Sequence, residues 1–100
     1  MSSRPTYDLG KINALIDKGA YRITTIAKRT AFADFGFTPE KIIRHVKEIE
    51  LNYFYKTMMS VNFTGLWQDV YRTNINGKKA CVKLQIDNGE VVVIISFKQL

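Results

Sequence analysis

Apolar residues recur through the first half of the chain at helical spacing. Leu9, Ile12, Leu15 and Ile16 share one side of a helix that Asp8 can cap and Gly19 ends. Ala27, Ala31 and Phe35 repeat every four residues behind Thr24 or Thr25, and Gly36 closes that segment. Thr38 and Pro39 mark a third start, a capping hydroxyl before a proline whose missing N–H has no role in a first turn. Ile42, Ile43, Val46 and Ile49 then form a stripe to be buried. Between the first two helices, Tyr21 to Ile23 reads as a short strand. Residues 1–7 read as a partly ordered lead-in.

After Leu51 the period changes from helical to alternating. Met58 to Val61 and Leu66 to Ile75 read as strands, as do Lys79 to Ile86 and the nearly continuous apolar run Val91 to Phe97. Asn76-Gly77 and Asn88-Gly89 separate the last three, and each is a strong two-residue hairpin signal. The predicted order is three helices and then an antiparallel meander. That is an α+β arrangement, with N-terminal helices on one face of a twisted sheet.

A two-residue loop sets register, so opposed pairs can be written down. The first turn places Ile75 opposite Lys78, Arg72 opposite Cys81, Val70 opposite Lys83 and Gln68 opposite Gln85. The second predicts Asp87 opposite Glu90, Gln85 opposite Val92, Lys83 opposite Ile94, Cys81 opposite Ser96 and Lys79 opposite Lys98. Opposed residues share a face. One face then gathers Gln68, Arg72, Lys79, Cys81, Lys83, Gln85, Ser96 and Lys98, with Val70, Val92 and Ile94 between them. The other gathers Tyr71, Ala80, Val82, Leu84, Ile86, Val91, Val93, Ile95 and Phe97, and is the expected core. Asp69 falls on the core face beside Trp67, either as a satisfied buried carboxylate or where the strand leaves the core.

Composition narrows what this polar face can serve. A chain of 100 residues, 46% hydrophobic and 24% charged, is sized for one packed domain over residues 1–100. A net charge of +6 and a pI near 9.6 suit a polyanionic partner, nucleic acid or an acidic protein, although basic charge also serves solubility alone. The single cysteine, Cys81, excludes an internal disulfide and fits a reducing cytoplasm. No apolar run follows Met1 as in a signal peptide, and Val91 to Ile95 is far too short to span a membrane.

The predicted polar face carries lysine, arginine, glutamine and serine but no carboxylate, whereas a metal nuclease needs clustered carboxylates to hold Mg²⁺. This points to metal-independent chemistry. RNA supplies its own nucleophile, the 2′-hydroxyl. Cleavage then requires removing that proton, stabilising a charged phosphorane and protonating the leaving 5′-oxygen. Lysine and arginine stabilise charge directly. A lysine acts as acid or base only where neighbours lower its pKa from an ordinary value near 10.4. The plain alternative is a solvated basic face. The sole histidine, His45, sits on the third helix away from this face and reads as a surface or boundary residue. Tyr53, Phe54, Tyr55 and Trp67 can stack on bases or pack a hinge. Cys81 reads as a small sheet residue. A thiol enzyme built on it would want a histidine partner and would be inhibited by alkylation.

Several blocks carry a more specific signal: Phe54-Tyr55-Lys56-Thr57-Met58, Trp67-Gln68-Asp69-Val70-Tyr71-Arg72, Val82-Lys83-Leu84 and Ser96-Phe97-Lys98. At this spacing the chain resembles, over nearly its whole length, the MqsR family of toxins from bacterial type II toxin–antitoxin systems. The resemblance implies a RelE-like fold. It also implies a ribosome-independent mRNA interferase that cleaves at GC-containing triplets such as GCU, arrests translation and growth, and acts in stress responses. Its expected partners are mRNA and a cognate MqsA-like antitoxin, with a zinc-binding N-terminal domain and a helix-turn-helix C-terminal domain. Operator DNA is reached only through that antitoxin, and the toxin itself needs no cofactor.

By the same resemblance the catalytic residues are Lys56, Gln68 and Lys98. The lysines bind phosphate and hold charge, one also serving as acid or base. Gln68 orients the scissile nucleotide or stabilises the phosphorane. Arg72, Lys83, Tyr55 and Cys81 are the expected substrate contacts. The family's site also has a tyrosine, and its position is occupied here by Cys81. Tyr55 or Ser96 can stand in for it, or the two lysines suffice. The departure keeps a second reading open, a non-catalytic basic module that binds RNA or protein.

Overall fold

Each helix begins where a side chain replaces a missing backbone partner. The Asp8 carboxylate accepts from the Lys11 N–H at 3.0 Å and opens α1 (Leu9–Asp17). Of the two candidate threonines, Thr24 caps α2 (Thr25–Phe35), its hydroxyl accepting from the Ala27 N–H at 3.1 Å. Thr38 caps α3 (Pro39–Lys47), with Pro39 in the first turn. Gly36 ends α2 at φ 69°, a left-handed conformation that glycine adopts without a Cβ clash.

The computed structural model describes residues 4–60 and 65–100. Its strands are β1 (Tyr21–Ile23), β2 (Phe54–Met59), β3 (Trp67–Ile75), β4 (Lys78–Asp87) and β5 (Val91–Gln99), and a short 3₁₀ turn at Leu51–Tyr53 leads into β2. They form one sheet in the order β1-β5-β4-β3-β2. The meander is antiparallel, as predicted, but β1 lies parallel to β5, so the sheet is mixed. The expected strand from Met58 to Val61 begins earlier, at Phe54; Val61 lies outside the described residues. Its early start was hidden because the register shifts between Phe54 and Lys56, which breaks the alternation at Tyr55.

All three helices cover one face. Ile12, Leu15 and Ile16 of α1, Ala27 and Ala31 of α2, and Ile42 and Val46 of α3 pack with Tyr71, Val82, Leu84, Ile86 and Phe97 of the sheet. The first hairpin has the predicted register, from Ile75 opposite Lys78 to Asp69 opposite Leu84. Asn76 and Gly77 both take positive φ, as a twisted two-residue turn demands.

The second hairpin differs. Asp87 pairs with Val91, not Glu90, because Glu90 joins Asn88 and Gly89 in a three-residue loop and donates its N–H to the Asp87 carbonyl. A second shift follows, since Leu84 pairs with Ile94 while Lys83 pairs with Ser96. Val92 and Ile94 therefore belong to the core, and Val93 leaves it to lie opposite Gln85. Ile95 is the extra residue at the shift and is only half-buried, and Phe97 stays inside.

Asp69 is a satisfied buried carboxylate. Its two oxygens accept from the backbone N–H groups of Thr6 (2.9 Å) and Tyr7 (2.8 Å). The Tyr7 hydroxyl donates to the Trp67 carbonyl at 2.6 Å. The segment before α1 is thereby tied across β3, on the face opposite Gln68.

His45 is a boundary residue, as expected. Its Nε2 lies 3.0 Å from the Thr73 hydroxyl, and its ring meets Phe97 edge-on at 5.6 Å. It lines a cleft of about 620 Å³ beside α3 that also includes Arg44, Glu48 and Tyr53. Burial lowers its pKa below the usual 6.5, partly opposed by Glu48. The unfolded chain therefore takes up a proton at a higher pH than the folded one. Stability contributed by the neutral ring is present above about pH 6.5 and declines as pH falls from there toward the folded pKa. Melting temperature should drop more between pH 7.5 and 5.5 in the wild type than in His45→Gln. Equal drops would show that another group controls this window.

Candidate active site on the open face of the sheet

The sheet face opposite the helices is built in rows, because directly paired residues point the same way. One row runs Lys56, Val70, Lys83 and Ser96 across β2, β3, β4 and β5. The next runs Arg72, Cys81 and Lys98. A third, on the other side of the first, runs Met58 and Gln68, then Gln85 and Val93, and reaches Arg22 of β1. Gln68 and Gln85 are joined by a hydrogen bond of 3.2 Å.

The polar residues singled out from the sequence for this face are on it, whereas Val92 and Ile94, expected between them, lie in the core. Lys56 and Lys98 lie three strand intervals and one row apart, roughly 16 Å between backbone positions at the usual spacing, and both are exposed. Lys83 stands half-buried between them, with Ser96 opposite in place of the expected Ile94. Cys81 faces Lys98 instead of Ser96, so the thiol is buried between the Arg72 and Lys98 positions. Beneath these long side chains Val70, Cys81 and Val93 form a buried floor.

The shift at Tyr55 has a local consequence. The Arg72 guanidinium stacks on the Tyr55 ring at 3.6 Å from its centre, and Lys56 Nζ lies 5.6 Å from the same ring. An arginine over a tyrosine face is held by attraction to the ring's negative π surface. Tyr55 thus brings an exposed phenol beside the row that contains Cys81. Tyr53 bonds to Glu50 and lines the cleft beside α3, and Phe54 packs edge-on against Tyr71 at the margin of the core.

Two residues of this face were missed. Asp87 corrects the reading of a face without carboxylates. It has the same strand parity as Cys81, Lys83 and Gln85, and that parity alone was enough to find it. Its Oδ1 accepts from Gln85 Nε2 at 2.6 Å, and its Oδ2 lies 3.5 Å from Arg22. Arg22 could not be placed from sequence, since nothing in three residues of β1 says which strand they join. A cleft of about 500 Å³ opens here, lined by Arg22, Ser60, Leu66, Gln68, Gln85, Asp87, Asn88 and Ile95.

The arrangement offers clustered positive charge, an amide and a phenol on an open apolar floor, chemistry suited to holding a polyanion. Among the described residues no helix is long and apolar enough to cross a membrane. No curated protein matches the chain. Residues 4–99 match the profile of a family described as “Motility quorum-sensing regulator, toxin of MqsA”. The chain belongs to this family, the toxins of a toxin–antitoxin system.

Proposed function

We propose that the protein is an endoribonuclease toxin that cleaves mRNA without a metal ion or the ribosome, at GC-containing triplets such as GCU. The observation that carries this reading is the convergence of Lys56, Arg72, Lys83 and Lys98 with Gln68 on one sheet face left open by the helices. In the proposed reaction the 2′-oxygen forms a bond to the adjacent phosphorus as the bond from phosphorus to the 5′-oxygen breaks. One proton leaves the 2′-hydroxyl and one reaches the departing 5′-oxygen. The products are a 2′,3′-cyclic phosphate and a 5′-hydroxyl.

Lys56 and Lys98 hold the phosphate and the charge that grows on its oxygens. Arg72 and Lys83 take neighbouring phosphates, and Gln68 orients the scissile nucleotide. Tyr55, held against Arg72, supplies the hydroxyl that Cys81 lacks. Cleavage silences translation and arrests growth. The cognate antitoxin is MqsA-like: its zinc-binding domain holds the toxin, and its helix-turn-helix domain takes the complex to operator DNA.

Purified protein should cleave a synthetic RNA containing GCU in the presence of EDTA, and the mapped fragments should begin with a 5′-hydroxyl. RNA left intact after prolonged incubation would overturn the enzymatic reading. A second reading is favoured by one observation, the buried thiol of Cys81 where the family's site has a tyrosine. In that reading the basic face binds RNA or an acidic protein without cutting. Growth arrest on expression, relieved by co-expressing the neighbouring small open reading frame, would speak against it.

A further inference from the structure

The amide of Gln68 has a polarity that its neighbours dictate. The chain of contacts begins at Asp87. An ionised carboxylate can only accept hydrogen bonds, so the group that Gln85 turns toward it, 2.6 Å away, is the NH₂. Gln85 must then turn its carbonyl oxygen the other way. That oxygen accepts from Gln68 Nε2 at 3.2 Å. Gln68 therefore spends an N–H on Gln85 and keeps its carbonyl oxygen for a ligand. Arg22 lies 3.5 Å from the second oxygen of Asp87 and forms an ion pair at the outer end of the relay. Gln85, in the middle of the relay, is buried.

The relay forms one wall of the 500 Å³ cleft at the Gln68 end of the polar face. Leu66 and Ile95 give that cleft apolar surface, and Gln68, whose carbonyl oxygen is left over from the relay, lines it beside the Asp87–Arg22 pair. Such a mixture of flat apolar contact and a few fixed polar groups is what a small planar ligand needs. A nucleobase with an exocyclic amino group fits this set. A base that presents a carbonyl at the same place would meet an acceptor with an acceptor.

We infer that this cleft is a base-recognition pocket that selects an amino-bearing base next to the scissile phosphate, with Gln85 and Asp87 acting as positioning residues that hold the Gln68 carbonyl toward it. The inference rests on the RNA-cleaving reading and deepens it. It assigns Gln68 to reading the base edge and leaves charge stabilisation to the lysines.

Paired oligoribonucleotides test this directly. Each pair differs by one exocyclic amino group, cytosine against uracil or guanine against hypoxanthine, at each position flanking the cleavage site. For one position the wild type should prefer the amino-bearing base by about tenfold or more in kcat/KM. Asp87→Asn allows either amide orientation, so that ratio should fall toward one, whereas Asp87→Glu, which still only accepts, should restore much of it. A merely structural role would change the rates on both members of a pair together and leave the ratio alone. Equal rates for every pair in the wild type, or an unchanged ratio in Asp87→Asn, would overturn the inference.

A binding arm separates this result from the catalytic reading. The same pairs are made with a 2′-deoxy sugar at the scissile position, so that no nucleophile is present, and their Kd values are compared. Discrimination in binding without cleavage of the all-ribose RNA would sink the enzyme and keep the pocket. Cleavage without discrimination would do the reverse. No binding to any oligonucleotide would remove both.

Discussion

Alanine at Lys56 or at Lys98 should lower the single-turnover rate of RNA cleavage by about 10²–10³-fold, the usual cost of losing one preorganised charge or donor at a reacting centre. Both side chains are exposed, and neither belongs to the core cluster, so the fold should survive. Stability should change by no more than about 0.5 kcal/mol, as for other surface substitutions. The two lysines stand on opposite sides of Lys83, on strands three intervals apart. One strand of RNA crossing the sheet would meet them at different oxygens. Each substitution should also lower the magnitude of the salt dependence of binding by about 0.7 in the log–log slope, the value for one phosphate contact on a single strand. Circular dichroism melts run beside the kinetics separate lost chemistry from lost structure. Full activity in both variants would remove them from the site.

The register of β3 and β4 was legible because Asn76-Gly77 forms a two-residue turn between strands that alternate clearly. The register of β4 and β5 was not. Asn88-Gly89 carries the same signal, but the loop also takes up Glu90, and a second irregularity follows at Lys83 and Leu84. Val91 to Ile95 is apolar at every position, so no polar residue marks a slip from one face to the other. The two irregularities together restore the parity of Phe97 and Lys98, which is why Lys98 was placed on the right face with the wrong partner.

Lys56 was legible only through the resemblance of its block, since the irregularity at Tyr55 obscured the start of β2. The relay from Arg22 to Gln68 needed the parallel pairing of β1 with β5, a long-range choice that local pattern does not encode. By contrast the helix caps at Asp8 and Thr38 were readable because capping is a contact between residues three apart.

Replacing Asp69 with alanine should cost about 3 kcal/mol of stability. The carboxylate is wholly buried and accepts from two backbone N–H groups, those of Thr6 and Tyr7. Removing it deletes two charge-assisted hydrogen bonds and leaves two donors without their partner. Either effect is worth about 1–3 kcal/mol. For a chain of this length that corresponds to a fall in melting temperature of roughly 15 °C. Asparagine keeps one acceptor oxygen but turns an NH₂ toward the other N–H, so it should recover only part of the loss. Amide exchange locates the effect: the Thr6 and Tyr7 N–H groups should lose protection first, since their segment is held to β3 by Asp69 and the Tyr7–Trp67 bond. Gln68 lies between Trp67 and Asp69 and points to the opposite face. Loosening its two neighbours should widen its range of positions. Cleavage by the folded fraction should then fall as well, and its preference between paired bases should weaken. A variant that melts within about 2 °C of the wild type would mean that the lead-in segment contributes little to the fold and that β3 holds Gln68 without it.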